Sequence, residues 1–303
     1  MTMNVTLTGA TGLIGTKLVR ALRDRGDAVT VLSRSPDKAG AALGVDAVAW
    51  DPLAGPAPAA ALAGRDAVVH LAGEPVAQRW NAEVKQAIRD SRETGTRNLV
   101  EGLRAVGAGG PAVLVSSSAV GYYGRHGDEP VPESMPAGDD FLAGVCVVWE
   151  REAQRASELG VRTVTIRTGV VLDASGGALK TMLPPFRMGV GGPVAGGRQY
   201  LPWIHVDDLV GLYLTALDDP SWSGAYNGSA PEPVTNKEFS RALGHALHRP
   251  AIAPVPAFAL RLRYGDMADI VTEGQRAVPE RALAGGYAFQ HPDLAEALAD
   301  TLR

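Results

Sequence analysis

The sequence predicts an α/β fold, a doubly wound parallel sheet with a smaller carboxy-terminal lobe. Three observations carry this prediction. A short apolar run, Val5 to Thr8, leads into glycines at 9, 12 and 15, behind which Ile14, Leu18 and Leu22 repeat at helical spacing. A second strand-like run, Ala28 to Leu32, follows Gly26-Asp27 at the spacing of one strand–helix–strand unit. Strand-like and helix-like segments then alternate through the first half of the chain, as they do where helices cover both faces of a parallel sheet.

The first strand ends at Thr8, and the turn after it is rich in glycine. Such a turn lets the backbone bend and approach a pyrophosphate, while the following helix N-terminus offers free N–H groups and the positive end of its dipole. Gly9, Thr11, Gly12, Leu13, Ile14 and Gly15 are therefore candidate dinucleotide-binding residues. The second strand ends in Ser33-Arg34 where a carboxylate would take the ribose 2′-hydroxyl of NAD. A guanidinium instead stacks on adenine and pairs with a 2′-phosphate, so Ser33 and Arg34 point to NADP(H). The competing reading is a solvated arginine ahead of a helix, since Ser35-Pro36-Asp37 reads as an N-cap followed by proline at the first helical position.

Ala47–Trp50 reads as a third strand and Ala67–Leu71 as a fourth, with a loop and short helix over 54–63 between them. A long helix is predicted over 81–106, with Val84, Ile88, Leu99 and Leu103 on its apolar face. Ala112–Ser116 is a fifth strand, 141–159 a helix and Val161–Arg167 a sixth strand. Residues 173–202 are rich in glycine and proline and read as loops over a cleft, and helices are expected over 206–217, 236–248 and 293–302. On this reading residues 1–172 form the dinucleotide-binding domain, with 203–228 returning to it, and 173–303 are mainly a substrate-side lobe that includes 236–303.

Composition narrows the function classes. The 303 residues are 46% hydrophobic and 20% charged, which suits a globular chain with a sizeable core. A net charge of −4 gives no electrostatic case for nucleic acid or an anionic membrane as partner. The single cysteine, Cys146, excludes an internal disulfide and a cysteine metal cluster. No targeting segment is expected ahead of the first strand and no apolar run reaches spanning length, so the expected location is cytoplasmic.

Three groups are candidates for chemistry. Ser116-Ser117-Ser118 lies at a strand's C-terminal edge, where doubly wound sheets bind ligands, and Tyr122-Tyr123-Gly124 follows. A Ser118 hydroxyl would hold a substrate carbonyl and Tyr122 or Tyr123 would donate a proton, unless the serines form a turn and one tyrosine packs in the core. In Trp203-Ile204-His205-Val206-Asp207-Asp208 an aspartate is expected to cap the next helix, with His205 a structural donor. Cys146 is expected to be a small core residue. His245 and His248 are three apart but lack a third ligand at suitable spacing, so no metal site is expected.

Taken together, these residues resemble the extended branch of the short-chain dehydrogenase/reductase superfamily, which has a Rossmann fold. More narrowly, they resemble an atypical, epimerase-like family often labelled nucleoside-diphosphate-sugar epimerase, some members of which carry a cell-division-inhibitor label. Matching stretches include Thr8–Gly15, His70–Pro75, Ser91-Arg92, Ser118–Gly124, Arg167–Leu172, Gly191–Asp208, Asn227 and Gly274–Phe289. The resemblance implies that Leu71, Ala72, Gly73 and Glu74 run beside the cofactor, that Asp51 lies near the adenine amino group, and that Arg92 and Val170 also face it. It also exposes two departures. Superfamily enzymes carry Tyr-x-x-x-Lys on the helix at 141–159; aligned on Glu150, this chain has Leu142 and Cys146 there. Sugar-nucleotide enzymes have a diphosphate-binding arginine four residues before the matching histidine; this chain has Leu201, with Arg198 nearby as a substitute. The expected function is an NADP(H)-binding oxidoreductase or epimerase-like enzyme on a small organic substrate, the alternative a non-catalytic NADP(H)-binding redox sensor or regulatory scaffold. Extended-branch dimers pair through the helices at 81–106 and 141–159, so monomer and homodimer both stand as expectations.

Overall fold

The structure is a computed structural model and describes residues 2–303. Its centre is a seven-stranded parallel sheet of β1 (Asn4–Thr8), β2 (Ala28–Ser33), β3 (Asp46–Ala49), β4 (Ala67–His70), β5 (Val113–Ala119), β6 (Arg162–Thr168) and β7 (Gly224–Gly228). The spatial order is β7-β6-β5-β4-β1-β2-β3. The order reverses between β1 and β4, which opens a crevice beyond their C-terminal ends, the usual ligand position in such sheets.

Alternate residues of each strand face opposite helical layers. On one side, Val5, Leu7 and Val69 pack with Leu18 and Leu22 of α1 (Leu13–Asp24) and with Leu209 and Tyr213 of α6 (Val206–Asp218). On the other, Val68 and Leu114 pack with Leu99 and Leu103 of α3 (Ala82–Val106) and with Ala153 of α4 (Phe141–Gln154). Between α1 and α3 comes α2 (Pro36–Leu43), with Ser35 as N-cap and Pro36 first in the helix. A third core joins α5 (Gly177–Arg187), α7 (Asn236–Ala246) and α11 (Leu294–Thr301) around Leu183, Phe239 and Leu298. The shorter α8 (Ala257–Tyr264), α9 (Ala268–Thr272) and α10 (Glu280–Ala284) lie between α7 and α11.

Several expectations shift. β5 runs three residues past Ser116, because Ser116, Ser117 and Ser118 pair with Thr165, Ile166 and Arg167 of β6 rather than turning. The 173–202 stretch contains α5, whose buried Leu179, Leu183 and Phe186 are helically spaced around Pro184 and Pro185. The predicted helix over 141–159 is α-helical only to Gln154 and then 3-10 from Arg155 to Leu159. α7 ends at Ala246 rather than 248, and His248 adopts a φ of 54° ahead of Pro250. Among the described residues no helix is long and apolar enough to cross a membrane.

Candidate functional site

The glycine turn between β1 and α1 is shaped by two kinds of glycine. A Cβ on Gly9, whose φ is +67°, would lie 2.6 Å from the Leu71 carbonyl carbon, and one on Gly15 would lie 2.7 Å from Ala10 Cα. Both positions hold the turn against backbone. Gly12 differs: a Cβ there meets only the Gly9 carbonyl oxygen, at 3.3 Å. Gly12 is the N-cap of α1 and provides no side-chain cap, so the first-turn N–H groups of Leu13 and Ile14 are left for a ligand. Thr11 stands exposed at the tip of the same turn.

A buried hydrogen-bond relay fixes the second wall of the crevice. Thr8 Oγ1 accepts from the N–H groups of Leu71 and Ala72, each at 3.2 Å. Its own proton therefore goes to His70 Nδ1, 2.7 Å away, and His70 donates from Nε2 to Thr96 Oγ1 at 3.0 Å. Burial, and secondarily the charge of Arg92, pushes the His70 pKa from 6.5 down to about 4. The stability gained from the neutral ring is complete above pH 6.5 and is lost as the pH falls toward 4. The loss amounts to about 3 kcal/mol. Urea unfolding across that range should show this component in the wild type and not in His70→Gln.

Beyond Ala72, a Cβ on Gly73 would lie 3.2 Å from Arg92 Cζ, so the guanidinium packs directly on that backbone. Arg92 donates from Nη1 to the carbonyls of Glu74 (3.0 Å) and Ile88 (3.3 Å), and its Cζ lies 4.9 Å from the Trp149 ring centroid. The Glu74 N–H donates to Ser91 Oγ, which straps the Leu71–Glu74 segment to α3. At the end of β2, Ser33 Oγ accepts the Ser35 N–H, and Arg34 is exposed. Asp51, just past β3, closes a tight turn by accepting the Leu53 N–H.

Next to Arg92 a cavity of about 440 Å³ opens beyond the C-terminal ends of β5 and β6. Trp80, Phe141, Leu142, Val145 and Trp149 form much of its wall, and Val170 lines its edge. Leu142 and Cys146, one helical turn apart on α4, both line it. Burial, with the charge of Glu150 adding to it, pushes the Cys146 thiol up to about 12, so it stays protonated. Tyr200 is the one tyrosine on the wall among the described residues.

The hydroxyls of Ser118 and Tyr123, expected to act on substrate, are committed elsewhere. Ser118 Oγ donates to Glu150 Oε1 at 2.6 Å, and Arg167 holds both oxygens of Glu150 at 2.8 Å. The Tyr123 hydroxyl donates to Asn227 Oδ1 at 2.6 Å and accepts from Arg167 Nη1 at 2.9 Å. Tyr123 is 1% exposed, and burial pushes its pKa up to about 12 against the pull of Arg167. The Tyr122 ring is covered by the Arg167 guanidinium, 3.5 Å from its centroid. None of Ser118, Tyr122 and Tyr123 lines the cavity. The strand-edge position is readable from the sequence, but the inward direction of Ser118 and Tyr123 depends on Glu150, Arg167 and Asn227.

His205 also takes a different role. It is the N-cap of α6, and its Nδ1 accepts the Asp207 N–H at 3.2 Å, while Asp208 accepts the N–H groups of Gln290 and His291. Ligand atoms of His205, Asp207, His291 and Asp300 lie within 4.8 Å of one another, a proximity hidden in the sequence. Metal ligation fits His205 poorly: accepting at Nδ1 puts the neutral ring's proton on Nε2, which faces Asp300 Oδ2 at 3.5 Å. The cluster reads as a clasp for α11. Arg198 is exposed and is not part of the cavity wall, where Gln199, Tyr200 and Leu201 stand.

Residues 5–227 match the NAD dependent epimerase/dehydratase family. The chain belongs to that family. Residues 255–301 match a domain of unknown function, DUF1731, which spans α8 to α11. An epimerase family protein SDR39U1 homolog of Arabidopsis thaliana, described as chloroplastic, is 43% identical over 98% of this chain and 86% of the relative. A crystal structure of human epimerase family protein SDR39U1 with NADPH is 36% identical, has a TM-score of 0.87 and covers 99% of each chain. A nucleoside-diphosphate sugar epimerase structure from Corynebacterium glutamicum is 33% identical with a TM-score of 0.80, over 100% of this chain and 58% of that one.

Within this epimerase/dehydratase framework, sequence reasoning missed most of the cavity wall. Trp80 and Ile270 lie outside the stretches that carry the resemblance, and Tyr200 and Gln275 lie inside two of them without a residue pattern that marks them as cavity wall. The only local signal was the aromatic and apolar density at 76–80 and 141–149, which amphipathic packing explains equally well.

Proposed function

We propose that the chain binds NADP(H) across the glycine turn and acts as an oxidoreductase on a small organic substrate in the adjoining cavity. The observation that carries this reading is the place of Arg92, which packs on Gly73 beside the turn and also lines the cavity. A dinucleotide seated on the turn would therefore extend toward the cavity. The residues present fit such a cofactor: the space before Gly12 is open, α1 is uncapped by any side chain, and β2 ends in an exposed Arg34 rather than a carboxylate. The NADPH in the human relative's structure supports the same choice.

In this reading Gly9, Thr11, Gly12, Leu13, Ile14 and Gly15 form the pyrophosphate cradle, and Ser33 and Arg34 meet the 2′-phosphate. Asp51 lies by the adenine, while Leu71, Ala72, Gly73, Glu74, Arg92 and Val170 flank the rest. The cofactor, when bound, supplies or accepts a hydride. The apolar wall excludes water, and Tyr200, rather than Tyr123, is placed to exchange a proton with a substrate oxygen. Arg34→Ala should weaken NADPH by about 1.5–3 kcal/mol, the loss of a charged hydrogen bond, and leave NADH nearly unchanged. Calorimetry showing equal affinity of the wild type for both cofactors would overturn the NADP(H) assignment.

Activity is tested by following hydride transfer over a panel of carbonyl compounds and alcohols. Tyr200→Phe should lower kcat by roughly 10² with NADPH affinity kept, whereas Tyr123→Phe should lower stability and leave turnover in place. A Tyr200→Phe enzyme with wild-type turnover would reject this acid. One observation favours a second reading, a non-catalytic NADP(H) sensor: Leu142 and Cys146 face the cavity where the superfamily's Tyr-x-x-x-Lys pair is expected, and a neutral thiol and a leucine move no proton. Tight NADPH binding with no turnover across the panel would select that reading.

A further inference from the structure

We infer that the cavity takes a neutral, flat, unsaturated or aromatic molecule carrying one carbonyl or hydroxyl, and not a sugar nucleotide. The inference deepens the proposed function by naming the substrate class of the same site, and it rests on that reading only for which wall faces the cofactor.

The first argument is the wall. Trp80 and Phe141 meet edge to face, with ring centroids 5.2 Å apart and planes at 72°. With Trp149 and Leu142 they make an apolar corner that a flat ring fills on two sides. A sugar placed there would find one unpartnered donor, Trp149 Nε1, for its several hydroxyls, and unpaired buried hydroxyls are costly.

The second argument is charge. The wall includes four carboxylates, Asp140, Asp266, Asp269 and Glu273, against three cations, Lys85, Arg92 and Arg125. Two of the three cations are ion-paired. Lys85 pairs with Asp266 at 2.5 Å, Arg125 with Glu273 at 3.3 Å, and Asp269 with Arg261 at 2.9 Å, while Arg92 donates from Nη1 to two backbone carbonyls and has no carboxylate partner among the described residues. The nearest helix N-terminus, that of α4, is capped by Asp140, which accepts the Ala143 N–H at 2.9 Å. A diphosphate needs several free cations or N–H groups, and here, among the described residues, Arg92 is the one wall cation without a carboxylate partner.

Few polar groups on the wall are left without a partner. Gln275 donates its amide to the Val120 carbonyl and Gln199 donates to the carbonyls of Val194 and Val271. Two neutral donors on the wall are then available to a substrate oxygen, Tyr200 and the Nε1 of Trp149, which is buried and has no hydrogen-bond partner among the described residues.

The test is calorimetric titration of the full-length protein, first with NADP⁺ and then, on the saturated protein, with 2-acetonaphthone or with UDP-glucose. The expected result is saturable binding of 2-acetonaphthone and none of UDP-glucose. Trp80→Ala should weaken 2-acetonaphthone by at least about tenfold. Because removing Trp80 perturbs packing, Ile270→Asp gives a second readout: it puts a carboxylate on the wall at a residue 42% exposed, and should weaken the ketone similarly without unfolding. Saturable UDP-glucose binding, absent ketone binding, or ketone binding unchanged in both variants would each overturn the inference. Failure of the first titration, with NADP⁺, would instead count against the proposed function, and the ketone titration of the free protein would still judge the cavity.

Discussion

Gly12→Ala should abolish NADPH binding while the protein stays folded. The backbone at Gly12 has φ −77° and ψ 175°, which alanine adopts without strain, and the new methyl would touch only the Gly9 carbonyl oxygen, at 3.3 Å. It would stand where a pyrophosphate must approach the unpaired N–H groups of α1. Losing two charge-assisted hydrogen bonds costs about 3–6 kcal/mol, enough to remove measurable binding. Fluorescence titration paired with a thermal melt reads both halves of the expectation. Unchanged binding would show that the phosphates are held elsewhere.

Arg167→Met should lower stability by about 3–5 kcal/mol, because removing one partner leaves a buried carboxylate uncompensated. Arg167 and Glu150 have side-chain exposures of only 6% and 15%, and Arg167 also donates to the Tyr123 hydroxyl and the Glu133 carbonyl. Equilibrium urea unfolding measures the loss. Arg198→Met, at an exposed position, is the control and should stay within about 0.5 kcal/mol of wild type. Equal stability of the two variants would mean that the Ser118–Glu150–Arg167–Tyr123 network contributes little.

The sheet was legible because its signals are local. The Thr8–Gly15 turn, the apolar runs of β1, β2 and β4, and the spacing of Ile88, Leu99 and Leu103 on α3 each declare an element within a few residues. α5 was hidden because Pro184 and Pro185 fall inside it and glycines flank it, although Leu179, Leu183 and Phe186 keep the helical period. β5 was cut short because three consecutive serines look like a turn until their neighbours on β6 are known.

The candidate site divides along the same line. Its glycine turn and strand ends are short-range features. The roles of Tyr123 and His205 are set by Asn227 and Arg167, and by Asp300 and His291, contacts that span from 44 to 104 residues of sequence. Nothing near Tyr123 in the chain shows that its hydroxyl points into a buried network, and nothing near Tyr200 shows that it lines a cavity with Trp80.

The most direct test is a crystal structure of this chain with NADPH. The pyrophosphate is expected on the N–H groups at the start of α1, the 2′-phosphate at Arg34, and the nicotinamide in the cavity beside Arg92, with Leu142 and Cys146 on the α4 side. A cofactor whose nicotinamide lies outside that cavity, or whose 2′-phosphate lies away from Arg34, would contradict this placement.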